Sequence, residues 1–104
     1  MEDKKPSLFS DICKPYMAEK LKALVTANPA TVISTTYCPY CTKAKRVLDA
    51  ASVSYKELML DEIQGEEQMD AANCIYGKGR RFVPFIYLNQ KPLGTFGDLY
   101  KLHQ

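Results

Sequence analysis

The apolar and polar positions along the chain divide it into short elements of two periods. After Pro15, the residues Met17, Leu21, Leu24 and Val25 recur on one face through about Ala27, the spacing of an amphipathic helix. Upstream, Ser7 to Ile12 reads as a helical turn that Pro15 interrupts or restarts. Asn28-Pro29 ends the helix, because a residue before proline avoids the α region. The β-branched run Thr31–Thr35 predicts a strand, and Ala44, Val47, Leu48 and Ala51 predict a second helix over about Pro39 to Ala51. Val53 to Leu60 reads as a second strand ending in Asp61, which is placed to cap a third helix from about Glu62 to Tyr76. Met69, Ala72 and Tyr76 of that helix are expected inward, with Gly65 weakening its first turn. Gly77-Lys78-Gly79 reads as a loop, and Phe82 to Leu88 as a strand interrupted by Pro84, which cannot donate to a ladder. Asn89-Gln90 predicts a tight turn into a strand at Lys91–Gly94. A last helix follows from about Gly97, with Leu99 and Leu102 inward.

The order is then α, βα, βα, ββ, α, which implies a mixed sheet with helices on its faces. A strand, helix, strand succession demands a parallel pair joined by a crossover. There is no repeat, low-complexity stretch or linker. One domain is expected over residues 1–104, with residues 1–14 as a partly flexible extension.

Composition narrows the class. With 46% apolar and 25% charged residues, the chain is ordinary for a soluble protein. No stretch approaches the roughly 18 apolar residues of a membrane span. Met1-Glu2-Asp3-Lys4-Lys5-Pro6 lacks the apolar region of a secretory signal, so a cytoplasmic setting is expected. A net charge of +2 does not by itself imply nucleic acid. Lys43, Lys45 and Arg46 form one basic cluster and Lys78, Arg80 and Arg81 another. If both border one site they favour an anionic partner; otherwise they are a solvated helix face and a loop.

The candidate chemistry is at Tyr37-Cys38-Pro39-Tyr40-Cys41. Two cysteines at this spacing can exchange electrons, supply half of a metal site or fill a core. With His103 the sole histidine and no second such pair, a closed zinc site is poorly supplied with ligands. A strand-to-helix turn is the setting of a redox pair. There Cys38 faces the unpaired N–H groups and partial positive charge of a helix N-terminus, which lowers a thiol pKa. Lys43 or Arg81 nearby would add to this. Cys41, one turn along, is expected to be less exposed and to resolve the mixed disulfide that Cys38 forms. Cys13 and Cys74 are expected to be reduced, buried thiols acting as small hydrophobes, with regulatory oxidation or glutathionylation of Cys74 as the alternative.

Cys38-Pro39-Tyr40-Cys41 resembles the active-site tetrapeptide of dithiol glutaredoxins. Farther along, Val83-Pro84 resembles that family's Thr-Val-cis-Pro, and Gly94 with Asp98-Leu99 resembles what is left of its Gly-Gly-x-x-Asp-Leu. The likeness covers roughly residues 15 to 102. It implies a thioredoxin fold, with a central mixed four-stranded sheet flanked by helices, and a glutathione-dependent thiol–disulfide oxidoreductase. By the match, the Val83 backbone would align with the cysteine of glutathione and Pro84 would be cis. Tyr40 would lie against the peptide, Gly97 and Asp98 would hold its γ-glutamyl end, and Arg80 or Arg81 would pair with a carboxylate. No tightly bound cofactor is implied. Glutathione would be the co-substrate, disulfide-containing or glutathionylated proteins the partners, and the chain a monomer.

The departures bear on the thiol. Thr35 stands where the family usually has Lys, Phe82 for Thr, Thr95 for the second Gly, and Gly97 for an Asp. Two of these losses remove groups that grip glutathione carboxylates, which admits another low-molecular-mass thiol such as trypanothione. The rival classes are a glutathione-assisted [2Fe–2S] module and a redox-silent docking domain.

Overall fold

A computed structural model describes residues 8–103. In chain order the elements are helix α1 (Pro15–Ala27), strand β1 (Ala30–Ser34), helix α2 (Pro39–Ala50), strand β2 (Tyr55–Met59), a 3-10 turn (Leu60–Glu62), helix α3 (Glu66–Tyr76), strands β3 (Phe85–Leu88) and β4 (Lys91–Gly94), and helix α4 (Phe96–His103). The sheet order is β2-β1-β3-β4, with β1 parallel to β2 and antiparallel to β3. This is the expected mixed four-stranded sheet flanked by helices.

The strand β1 is central and buried along its whole length, which is why its sequence is a continuous run rather than an alternation. Its residues still take turns between faces. Ile33 joins Met17, Leu21 and Val25 of α1 and Ala71, Cys74 and Ile75 of α3 in one core. Ala30 and Val32 join Ala44 and Leu48 of α2, Ile86 and Leu99 of α4 in the other. Strand β3 divides likewise, Tyr87 to the first core and Ile86 to the second. Cutting a fully buried Leu48 back to alanine removes contacts worth about 2–5 kcal/mol.

Proline sits at the start of both α1 and α2, where a missing N–H leaves no helical bond unmade. The β3–β4 hairpin turns through Asn89 (φ 53°) and Gln90 (φ 66°), both left-handed as a tight hairpin requires. The outer strand β4 carries Pro92 opposite Tyr87.

Several expectations are corrected. The third helix does not begin at Glu62. Leu60–Glu62 is a separate 3-10 turn, and Gly65 (φ 65°) is the N-cap of α3. Asp61 therefore caps nothing there; its carboxylate accepts from the Thr36 N–H at 2.9 Å, across to the turn after β1. Met69 is 52% exposed and Leu102 61% exposed, because no neighbouring element covers the outer sides of α3 and α4 at those positions.

The cysteines outside the redox turn are not free thiols. Cys13 and Cys74 are joined in a disulfide, Cα to Cα 4.1 Å, across 61 residues of sequence. The segment before α1 folds back over the end of α3 to make this contact. Tyr87 Oη donates to Leu8 O at 3.2 Å, and the Phe9 ring lies edge-on to Tyr87. Beside Cys13, Lys14 pairs with the Asp70 carboxylate at 3.4 Å and Tyr16 Oη donates to it. That phenol hydrogen bond, before the nearby Lys14 charge, holds Asp70 below the usual carboxyl range, and the same bond pushes Tyr16 up to about 12. The part of the expected extension before residue 8 lies outside the described residues.

Candidate active site

Three chain segments meet at the carboxyl end of the parallel pair. β1 delivers Thr35 and the turn to Cys38, β2 delivers Leu60 and Asp61, and the approach to β3 delivers Phe82, Val83 and Pro84. A crevice at that end of the strands is where an open α/β sheet places ligands. Here a cavity of about 260 Å³ is lined by Thr35, Leu60, Asp61, Gln68, Ala72, Tyr76, Arg81, Phe82 and Val83. The Val83–Pro84 peptide is cis, and Pro84 is buried just outside the β3 ladder. The ladder between β1 and β3 closes at Ile33 and Phe85, leaving the Val83 backbone beyond it.

Cys38 is the N-cap of α2 and partly exposed, whereas Cys41 is 2% exposed. The Cys41 N–H points at Cys38 Sγ, 3.1 Å away. The two sulfurs are bonded, the oxidised form of a dithiol pair. On reduction, the same N–H and the helix terminus face a thiolate at Cys38, favouring its charged form. Asp61 pins the turn from below through Thr36, and hydrogen bonds from Thr36 hold its carboxyl below the ordinary range.

The residues expected at the rim divide. Val83 and Arg81 line the cavity, where an Arg81 Nη lies 3.2 Å from Met69 Sδ. Arg80 is exposed and outside that lining, and Lys78 borders a different hollow with Ser10, Asp11 and Ile12. Of the cluster after the cysteines, Lys45 is bound to Glu57 at 3.0 Å, and Lys43 stands 4.7 Å over the Tyr40 ring. The two basic clusters therefore do not line one surface as complete sets. Tyr40 leans towards α4, its ring 5.6 Å from Phe96.

Gly97 and Asp98 lie in the first turn of α4. Asp98 accepts from the Thr95 N–H at 3.0 Å, and the Asp98 N–H donates to Thr95 Oγ1 at 3.2 Å, a reciprocal cap. A Cβ on Gly94 would fall 2.4 Å from Asp98 Oδ2, so glycine alone fits the entry to that cap.

Asp61, Gln68, Tyr76 and Phe96 escaped the sequence reading of the site. The sequence pattern places Asp61 as a helix cap and Tyr76 in the core. Tyr76 Oη in fact donates to Phe82 O, and burial pushes its phenol up to about 12. Only the polarity of Asp61 and Gln68 at either end of a glycine-broken helix start pointed beyond packing.

The glutaredoxin family model matches residues 30–93. Glutaredoxin-C4, chloroplastic, of Oryza sativa subsp. japonica is 35% identical, over 88% of this chain and 68% of its own. The solution structure of reduced glutaredoxin C1 from Populus tremula x tremuloides aligns with a TM-score of 0.70 and 32% identity, over 86% of this chain and 75% of that one. The crystal structure of a buckwheat glutaredoxin–glutathione complex aligns with a TM-score of 0.69 and 27% identity, over 85% and 79%. Among the described residues, no helix is long and apolar enough to cross a membrane. With Cys38 of a bonded cysteine pair capping α2, a cis-proline at the head of β3, and this family match across the sheet, the chain belongs to the glutaredoxins, glutathione-dependent thiol–disulfide oxidoreductases.

Proposed function

We propose that the chain reduces protein disulfides and glutathione mixed disulfides through Cys38 as nucleophile and Cys41 as resolving thiol. One observation carries the assignment. The sulfur of the partly exposed cysteine is the one that receives the helix N-terminal N–H, at 3.1 Å, while its partner cysteine is buried. The Cys38 thiolate attacks one sulfur of the substrate disulfide, the S–S bond breaks, and the other sulfur leaves as a thiolate and takes a proton. Cys41 then attacks Cys38 Sγ, releasing the product thiol and leaving the Cys38–Cys41 disulfide. Two glutathione thiols return it to the dithiol and leave as glutathione disulfide.

Glutathione docks along the Val83 backbone beside cis-Pro84, with Tyr40 against the peptide. Arg81 in the cavity wall, with Arg80 beside it, pairs with a carboxylate. The Gly97 N–H and the Asp98 carboxylate hold the γ-glutamyl end, and Asp98 keeps its capping bond as well. The glutathione-bound buckwheat structure favours glutathione over a conjugate such as trypanothione. The working unit is one domain acting as a monomer with no tightly bound cofactor, in the cytoplasm. Relatives named as chloroplastic and mitochondrial make fractionation the measurement for that last point.

The test is turnover of a glutathionylated peptide and of a protein disulfide, with glutathione and trypanothione as competing reductants. Cys38→Ser is expected to lose both activities. Cys41→Ser keeps the first and loses the second. Full turnover by Cys38→Ser sinks the assignment.

A further inference from the structure

The Cys13–Cys74 bridge takes no part in exchange at Cys38, yet it stands at one end of a continuous run of contacts that reaches the groove. The last carbonyls of a helix run short of helical partners. In α3 the segment before α1 bonds Cys74 O and adds a second bond to Asn73 O, which also accepts from the Gly77 N–H at 2.9 Å. The Ser10 N–H donates to Cys74 O at 2.8 Å, and Ser10 Oγ donates to Asn73 O. The approach is close, since a Cβ on Gly77 would meet Ser10 Cβ at 2.9 Å. In the same helical turn, Tyr76 donates to Phe82 O and packs edge-on against the Phe82 and Phe85 rings. Tyr76, Phe82 and Val83 are then adjacent in the groove wall.

We propose that Cys13 and Cys74 are a second thiol–disulfide site, whose oxidation state sets how firmly the groove holds its thiol substrate. Cys13 is partly exposed and Cys74 is fully buried, so a reductant reaches only the Cys13 sulfur. A glutathione thiolate attacks Cys13 Sγ, the Cys13–Cys74 bond breaks, and Cys74 leaves as a thiolate that takes a proton. A second glutathione thiolate attacks the glutathione sulfur of the Cys13 adduct, releasing Cys13 as a thiol and carrying two electrons' worth of oxidation away as glutathione disulfide. Reoxidation runs through the same Cys13 adduct, because burial keeps Cys74 in its unreactive thiol form until Cys13 presents a disulfide to it. With the bridge open, residues 8–13 are held by hydrogen bonds and by the packing of Leu8 and Phe9 on the core, without a covalent tie. They open more often, the end of α3 frays, and the Tyr76–Phe82 contact loosens with it.

Two measurements test this; the kinetic one rests on the glutathione reading above and the other does not. In a chain carrying Cys38→Ser and Cys41→Ser, the bridge is the only redox couple among the described residues. Alkylation and mass spectrometry across glutathione/glutathione disulfide ratios are expected to show it opening, and amide exchange to quicken at residues 9–13 and 75–83 together. A bridge that stays closed at every ratio at which the chain is folded overturns the proposal. So does quickened exchange confined to residues 9–13. With the active pair intact, Cys13→Ser is expected to raise KM for a glutathionylated peptide roughly fivefold with kcat unchanged, a coupling of ordinary size for two linked sites. Tyr76→Phe, with the bridge closed, moves KM the same way. An unchanged KM in both variants also overturns it. If the parent chain fails to turn over the peptide, the glutathione reading falls while the exchange experiment still decides the bridge.

Discussion

Cys38–Cys41 and Cys13–Cys74 are the same covalent bond in opposite surroundings. The first closes a ring over a sequence separation of 3 where a helix begins, one of its cysteines partly exposed. The second spans a separation of 61 and ends at a fully buried sulfur in the core between α1 and α3. In the chain-entropy description, closing the shorter loop stabilises the fold by about 2 kcal/mol and the longer by about 4. The larger difference lies in what surrounds each sulfur. Cys38 receives an N–H at a helix N-terminus, which stabilises a thiolate; Cys74 is packed among Leu21, Val25 and Tyr87, which disfavours one. Loop length decides how much a disulfide supports the fold, and the dipoles and solvent around its sulfurs decide whether it reacts. A cysteine count weighs neither.

The sharpest way to break the comparison is to remove one bridge at a time. Cys74→Ala should lower stability by about 2–4 kcal/mol. That is a fall on the order of 10–20 °C in melting temperature for a chain of this size. Below that melting point kcat should be kept. Cys38→Ser should do the reverse, abolishing turnover while moving the melting temperature far less. Equal melting losses in the two variants would mean that loop length is not what separates them. Each bridge also has its own carboxylate. Asp70 anchors Lys14 and Tyr16 beside Cys13, and Asp61 anchors Thr36 before Cys38. Both carboxyls are held low in the folded chain, so the stability they contribute is complete above about pH 4, their unfolded value. It is lost as pH falls through the folded values. Asp70→Asn should flatten the fall in stability below pH 4 measured by denaturant titration, and Asp61→Asn should flatten it too while also lowering turnover at neutral pH. An acid limb unchanged in both variants would remove these carboxylates from the account. The smallest effect belongs to Lys45, whose pairing with Glu57 turns it away from the redox turn. Lys45→Ala should leave turnover unchanged and cost about 0.5 kcal/mol, within the range of partly exposed ion pairs. A clear loss of turnover would return Lys45 to the site.

Much of the fold was legible because its signals are local. The β-branched run of β1, the apolar spacing of α1 and α2, and the proline at each helix start all act within a few residues. Strand β1 differed from expectation by one residue at each end. What was not legible depends on contacts far apart in sequence. Nothing in the spacing of Cys13 and Cys74 says that the first segment returns to the end of α3. Asp61 sits where a cap is sensible, and only the parallel pairing of β1 with β2 brings Thr36 to it. Met69 fits an inward periodicity on α3, but the pattern cannot say whether another element is there to receive it. At the site, the cysteines and Val83-Pro84 stood out as motifs. Phe82 stood out only as a departure from the family's Thr, and Tyr76 not at all, since an aromatic side chain at helical spacing reads as core until the cavity beside it is known.

The outer strands of the sheet have a consequence for life among damaged chains. In the proposed reduction of protein disulfides the chain would link transiently to other polypeptides, and partly unfolded ones search for a strand edge to extend. Here one rim ends in Pro92, which has no N–H to offer, within a strand only four residues long. The opposite rim, β2, carries an exposed Lys56 and the Lys45–Glu57 pair. A visiting chain therefore finds a sulfur to bond with and little backbone to zip onto, so the encounter can end when the disulfide does.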